Sequence, residues 1–250
     1  MRTRKKPWTS REIAENAYIV KNPADNRGKW RGYFGNNNPI HLEIGCGKGK
    51  FLSEAARAFP SVNFIGLERD PVILAAAARL NRVTGGAPAA YIISDAESLP
   101  ELFAPGEIQA MYIHFCDPWP NKKKWAKRRL THSRFLNMYA ELGIERIYFK
   151  TDNRLLFDFS VEQFKNSGWV LEDVNYDLHA VRQDPRFVTE YEEKFIAKGQ
   201  PIYRLEARRG QSGGRWVERT NGEDEEPDKA NIVYAQKKPD IEQGDAEDNG

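Results

Sequence analysis

Short apolar runs alternate along this chain with stretches of helical periodicity, and that alternation is what most narrows the fold. Ile40 to Ile44, Val62 to Leu67, Ala89 to Ile93, Ile108 to Phe115, Arg146 to Lys150, Trp169 to Val174 and Pro201 to Ala207 read as strands. Lys50 to Phe59, the segment opened by Asp70-Pro71, Ser133 to Leu142 and Asn153 to Asn166 read as helices, and Thr189 to Lys198 as a short one. In Asp70-Pro71 the acid is the N-cap and the proline the first helical residue. Strands joined by helices of about 10–15 residues form parallel crossovers. The expected fold is therefore α/β, with a mostly parallel seven-stranded sheet and helices on both faces. The last two strands, with only irregular sequence and a short helix between them, fit an antiparallel hairpin-like addition at one edge.

Composition sets the boundaries. Gly35-Asn36-Asn37-Asn38-Pro39 is loop chemistry and marks entry to a main domain spanning 39–209. Ahead of it, 1–38 is basic, with one helical patch from Ser10 to Val20 and Ser10 as its N-cap. Past Arg209 the chain turns to Gly, Ser, Asp and Glu, and 210–250 is expected to be an acidic, disordered tail despite a short apolar patch at Ile232. That tail holds 11 acids and 5 bases, a charge of −6; the whole chain is +2, so the body before it carries +8. A cationic body favours a polyanionic partner. No apolar run approaches the ~20 residues of a membrane helix. The basic N-terminus has no apolar segment behind it and does not read as a secretory signal. Two cysteines, Cys46 and Cys116, supply neither a disulfide framework nor a metal cluster. They suit a reducing cytoplasm.

The chemistry concentrates at the ends of the strands. The first ends in Glu43-Ile44-Gly45-Cys46-Gly47-Lys48-Gly49. Glycines there let the backbone turn tightly and let a ligand lie against it. The dinucleotide fingerprint fails, because Lys50 stands at its third glycine, and the P-loop pattern fails because Phe51 replaces its hydroxyl residue. What remains, acid-x-Gly-x-Gly-x-Gly, resembles the first motif of Rossmann-like methyltransferases that use S-adenosylmethionine. A sulfonium with a free amino group is attracted by a carboxylate such as Glu43. The second strand ends at Glu68, placed to accept from ribose hydroxyls, with Asp70 better used as a helix cap. The third ends at Asp95, able to accept from an adenine amine. After the fourth comes Asp117, then the turn Pro118-Trp119-Pro120. Beyond it lie Lys122, Lys123, Lys124, Lys127, Arg128, Arg129 and Arg134 with no acid among them. Open α/β sheets bind ligands at the carboxyl ends of their strands. The pattern puts one group at a base and many at phosphates. Trp119 either stacks on a base or packs the turn. His114, Cys116 and Cys46 read as core residues.

Glu43-x-Gly-x-Gly-x-Gly, Gly66-Leu-Glu68, Asp95, Asp117-Pro-Trp-Pro, Lys127-Arg-Arg-Leu-Thr131, Phe149-Lys-Thr-Asp152-Asn153 and Thr189-Glu-Tyr-Glu192 occur in this order. Together they resemble the bacterial-type transfer-RNA guanine-N7 methyltransferase family over Ile40 to Ala207. The resemblance implies a Rossmann-like methyltransferase fold and S-adenosylmethionine held by Glu43, Gly45, Gly47, Glu68, Asp95, Ala96 and Asp117. It makes Asp117 the catalytic residue as well. It places Lys122, Asp152, Thr189, Glu190, Tyr191 and Glu192 against the substrate. Relatives set a lysine directly after the Asp-Pro-Trp-Pro turn; here Asn121 intervenes, and Lys122 takes that assignment. Lys123, Lys124, Lys127, Arg128 and Arg129 are expected to contact RNA phosphates, which position RNA but read little sequence. The expected partner is transfer RNA, without membrane or metal, and the protein is a monomer or homodimer. Guanine N7 has a lone pair and no proton, so the expected reaction is a direct in-line displacement. The rival readings are an exocyclic amino-group methyltransferase, whose Asp-Pro-Pro-aromatic motif is close to Asp117-Pro118-Trp119-Pro120, and a non-catalytic RNA-binding module on the same fold.

Overall fold

The computed structural model describes residues 6–120, 122–181 and 188–210. Arg2, Arg4 and Lys5, and the tail expected beyond Gly210 with its patch at Ile232, lie outside them. The elements run α1 (Pro7–Glu15), α2 (Trp30–Phe34), β1 (Ile40–Ile44), α3 (Lys50–Ala58), β2 (Asn63–Glu68), α4 (Pro71–Val83) and β3 (Ala89–Ile93). They continue with α5 (Leu99–Leu102), β4 (Ala110–His114), α6 (Lys123–Ala126), α7 (Ser133–Glu141), β5 (Arg146–Thr151) and α8 (Arg154–Asn166). The last are β6 (Trp169–Asn175), α9 (Leu178–Val181), α10 (Glu190–Ile196) and β7 (Tyr203–Arg209).

One sheet holds all these strands in the order β3-β2-β1-β4-β5-β7-β6. The five strands from β3 to β5 are parallel. β7 runs against both β5 and β6. The hairpin-like pair does occupy one edge, with β6 outermost and the reversed strand β7 between it and β5. The chain moves from β1 outward to β3, then returns to place β4 on the other side of β1. That reversal makes a crevice at the carboxyl ends of β1 and β4.

Strand side chains alternate between the two faces, and both faces are buried. Leu42, Ile44, Ile65, Leu67, Ile113, Ile147 and Phe149 pack on one side against Phe135 and Leu136 of α7 and Phe157 and Phe164 of α8. Phe64, Tyr91, Tyr112 and Tyr148 pack on the other against Phe51, Leu52 and Ala55 of α3 and Leu74, Ala77 and Ala78 of α4. Caps follow the sequence. Asp70 Oδ1 accepts from Val72 N at 2.8 Å, and Asn153 Oδ1 from Leu156 N at 2.9 Å.

The first helix corrects an expectation. It starts at Pro7, with Lys6 in the cap position, and ends at Glu15. Ser10 is inside it, because proline's fixed φ favours the first helical position. The segment to Val20 leaves the helix: Ile19 bridges to Tyr91 and Val20 N donates to Tyr91 O at 2.9 Å, adding a rung beside β3.

Gly49 joins the glycine turn to α3 in a left-handed conformation, φ 75°, where a Cβ would sit 2.7 Å from Ala77 Cβ and 3.1 Å from Ala77 Cα. Neither atom belongs to a flexible side-chain end, so α3 must move off α4 to admit one. Gly49→Ala is expected to lower unfolding free energy by about 2–4 kcal/mol, read from urea denaturation.

Candidate active site: an acidic crevice with a basic rim

The same alternation builds the site. On β1, β4 and β5 the face that buries Tyr112 and Tyr148 also carries Glu43, His114 and Lys150, one on each strand near its carboxyl end. Register sets them side by side: Glu43 is level with Tyr112, and His114 with Lys150. Glu68, the last residue of β2, shares the face with Phe64. Asp95 follows β3 and Asp117 follows β4. An open crevice of about 1150 Å³ is lined by all four of these acids, Glu43, Glu68, Asp95 and Asp117. Gly45, Gly47 and Ala96 line it too.

Each acid is held differently. Glu68 accepts from Asp70 N at 2.9 Å and Gly47 N at 3.3 Å, which ties the second strand end to the glycine turn. Asp95 Oδ1 accepts from Glu97 N at 2.9 Å. Asp117 is exposed on the crevice wall. Glu43 is 3% exposed, and its Oε2 finds no hydrogen-bond partner among the described residues. Burial, with Glu68 close by, pushes its carboxyl well above the usual range, against the pull of Lys150. Burial, then Lys150 and Arg204, holds the His114 imidazole well below its usual value. His114 Nδ1 lies 3.6 Å from Glu43 Oε1, and burial disfavours the charged form of both groups.

That arrangement fits a small cationic ligand. A buried carboxyl with one oxygen unpartnered among the described residues, in a cluster of acids, is relieved by incoming positive charge. Gly45 and Gly47 have φ of 71° and 56°, and a Cβ on either would meet nothing within 4 Å. The turn is thus an open shelf on which a ligand can lie.

The outer wall is basic and strained. Phe115 and Trp119 bracket Asp117 and both lie in the left-handed region, with φ of 51° and 44°. Such conformations are costly for large side chains and persist only where the surroundings over-determine them. Phe115 stacks on Tyr191 and Phe195 of α10, with ring centroids 6.2 and 6.4 Å apart. Trp119 is fixed through its backbone: Arg129 donates to Pro118 O at 2.8 Å and Trp119 O at 3.0 Å, and lies 4.4 Å over the Phe159 ring. Lys48, Lys50, Arg69, Arg128, Arg134 and Lys194 supply the cations of the rim.

Known proteins share this chain's plan. A family model described as "Putative methyltransferase" matches residues 37–205. The tRNA (guanine-N(7)-)-methyltransferase of Bacillus subtilis (strain 168) is 46% identical over 209 residues, covering 82% of this chain and 98% of that protein. Its namesake in Listeria monocytogenes serotype 4b (strain F2365) is 46% identical over 211 residues, with 83% and 98% covered. The chain belongs to the tRNA (guanine-N(7)-)-methyltransferase family. The resemblance read from the motifs is thereby confirmed. Among solved structures, the 16S rRNA methyltransferase KamB covers 74% of this chain and 94% of its own at a TM-score of 0.54 and 16% identity. An antibiotic-related methyltransferase covers 72% and 92% at a TM-score of 0.53 and 19% identity. At such identities the likeness speaks for the fold, a Rossmann-like methyltransferase sheet.

Several residues that the family resemblance assigned to substrate or phosphate are placed otherwise. Arg129, expected at phosphate, is 2% exposed with its guanidinium committed to the turn's carbonyls. Glu192 is 1% exposed, ion-paired with Lys150 at 3.2 Å and 3.1 Å from His179 Nε2. Burial alone would raise its carboxyl, but Lys150 and His179 outweigh that and hold it below the usual range. A carboxylate so engaged anchors α10. Thr189 caps that helix, accepting from Glu192 N at 3.1 Å, and lines the crevice with Tyr191. Asp152, Lys122, Lys124 and Lys127 are exposed outside the crevice lining. Lys123 and Glu190 begin α6 and α10, and their side chains are not among those described. Sequence reasoning missed Lys150 and the short helix α6; a lysine inside an apolar strand end was the available signal for the first.

The raised Glu43 carboxyl has a consequence for stability. A carboxyl whose folded value exceeds its unfolded one stabilises below the unfolded value, and that contribution is lost as pH climbs through the folded value. Glu43→Gln is expected to melt higher than the parent at pH 8 without cofactor, the gap closing toward pH 5. The same variant should bind S-adenosylmethionine about tenfold more weakly by titration calorimetry.

Proposed function

We infer that this crevice transfers a methyl group from S-adenosylmethionine to N7 of a guanine in transfer RNA. The convergence of Glu43, Glu68, Asp95 and Asp117 on one crevice behind a basic rim carries the reading. Glu43 faces the cofactor's positive charge. Glu68 accepts from its ribose hydroxyls and Asp95 from its adenine amine, with Gly45, Gly47 and Ala96 leaving room for it. Bound there, S-adenosylmethionine supplies an electrophilic methyl carbon. Guanine N7 carries a lone pair and no proton, so the chain has no proton to remove and needs no general base. What it must do is hold the base in line for displacement and offset the positive charge the ring acquires. Asp117 does both, accepting from the guanine N1–H or amino group. Thr189 and Tyr191 flank the base, and Asp152, exposed just past β5, meets the substrate outside the crevice. Lys122, Lys124, Lys127 and Arg128 meet phosphates. No helix among the described residues is long and apolar enough to cross a membrane. The cytoplasm, where transfer RNA is modified, is the matching compartment.

Two measurements test these roles. Asp117→Ala should fold and bind cofactor within a few-fold of the parent, yet lose methyl transfer by about a hundredfold or more, read as 7-methylguanosine in digested transfer RNA. Near-normal turnover would remove Asp117 from the mechanism. Changing Lys122, Lys124 and Lys127 together to Ala should flatten the slope of log affinity against log salt by about 2–3. An unchanged slope would place the RNA elsewhere.

A further inference from the structure

The indole of Trp119 is held more firmly than a turn requires. Its ring lies parallel to that of Trp125 in α6, the planes 8° apart and the centroids 5.3 Å apart. The Arg128 guanidinium is 4.9 Å from the Trp119 ring and 4.6 Å from the Trp125 ring, bracing both. Lys124 lies 5.5 Å from the Trp125 ring. The backbone beneath is fixed by the buried Arg129. Trp119 and Arg128 line the crevice while Trp125 does not, so Trp125 stands behind Trp119 as seen from the site. Both indoles are half-buried.

An aromatic that only filled a turn would need neither a parallel partner nor a left-handed backbone. We propose that Trp119 is the stacking surface for the guanine entering the crevice, and that Trp125 is a positioning residue acting through it. This deepens the methyl-transfer reading and rests on it. A base lifted out of an RNA stack loses contacts that an aromatic face restores. Trp119 is two residues from Asp117, so one short turn offers a plane for the ring and a carboxylate for its edge. Arg128, already against both indoles, presents its cation to the phosphate of the same nucleotide. Trp125 makes the plane stiff. Phosphate contacts dominate affinity for RNA, whereas a loosely held plane spoils alignment for attack. Loss of Trp125 therefore acts on turnover more than on RNA binding.

The test uses the full chain, unmodified transfer RNA and nucleoside analysis. Parent enzyme that makes no 7-methylguanosine would overturn the methyl-transfer reading itself, so the two failures are distinguishable. With active parent, Trp119→Ala should lower kcat about thirtyfold, within the range that stacking on one base supplies. Trp125→Ala should lower kcat about tenfold with KM for transfer RNA and cofactor affinity within twofold. Trp125→Phe should recover most of the loss. The double variant Trp119→Ala/Trp125→Ala should be no slower than Trp119→Ala alone, because Trp125 acts through Trp119. Should Trp125→Ala not fold, Trp125→Leu and Trp125→Phe carry the same comparison. A kcat for Trp125→Ala within twofold of the parent, or losses that multiply in the double variant, would overturn the proposal.

Discussion

Everything in the site depends on placing a carboxyl in one buried corner of the sheet. Alternation along β1, β4 and β5 brings Glu43, His114 and Lys150 to adjacent strand ends on a single face. The corner is apolar on its inner side, where Phe51 and Tyr112 pack around His114. A carboxyl placed there cannot ionise cheaply, and Glu68 nearby makes it harder. Lys150 pulls the other way, and its ammonium also pairs with Glu192, 3.2 Å away. A cationic ligand entering the corner favours the ionised form that burial and Glu68 oppose.

Lys150 also explains how the outer wall is built. Its pairing with Glu192 brings α10 down onto the carboxyl end of β5, and His179 from α9 closes the same pair from the other side. Lys50 pairs with Glu193 across the crevice mouth, adding a second tie between α3 and α10. With α10 fixed, Phe115 has aromatic partners and can hold its left-handed backbone. Asp117 thus projects from a segment gripped at both ends, by α10 at Phe115 and by Arg129 at Trp119. Breaking a buried pair of this kind leaves an uncompensated charge, which is why the coupling is strong.

The sheet, its helices and the ring of acids were legible from sequence, because each is written locally. Short apolar runs, Asp70-Pro71 and the glycine turn speak for themselves within a few residues. The acids at strand ends needed only the rule that parallel sheets bind ligands at that edge. What stayed hidden was long-range. Arg129 sits in a run of identical-looking cations, and nothing nearby in the chain says that it alone turns inward to Pro118 and Trp119. Glu192 carries the spacing of a capping box, yet its partner is Lys150, 42 residues away. The start of α1 was misjudged for a different reason. Ser10 is a fair cap, but Pro7 competes for the first helical position and prevails, while Ile19 is drawn off to Tyr91. In each case a tertiary partner, absent from any short window, decided the outcome.

The division between buried acid and exposed base also orders the two ligands. A small sulfonium is drawn past the rim into the acidic corner, whereas a polyanion is repelled by that corner and retained by the rim. RNA can present only a base to the crevice, since a phosphate moved inward would approach Asp117 and Glu68. The turn from Asp117 to Pro120 is where the two regimes meet: acid at its start, aromatic in its middle, cations immediately after. A guanine ring is neutral on arrival and positively charged once its N7 is alkylated. It gains attraction to the acids as the reaction proceeds. The gradient of charge across one short turn therefore favours the alkylated ring over the starting one, and that difference is what a catalyst without a proton-transfer step has to work with.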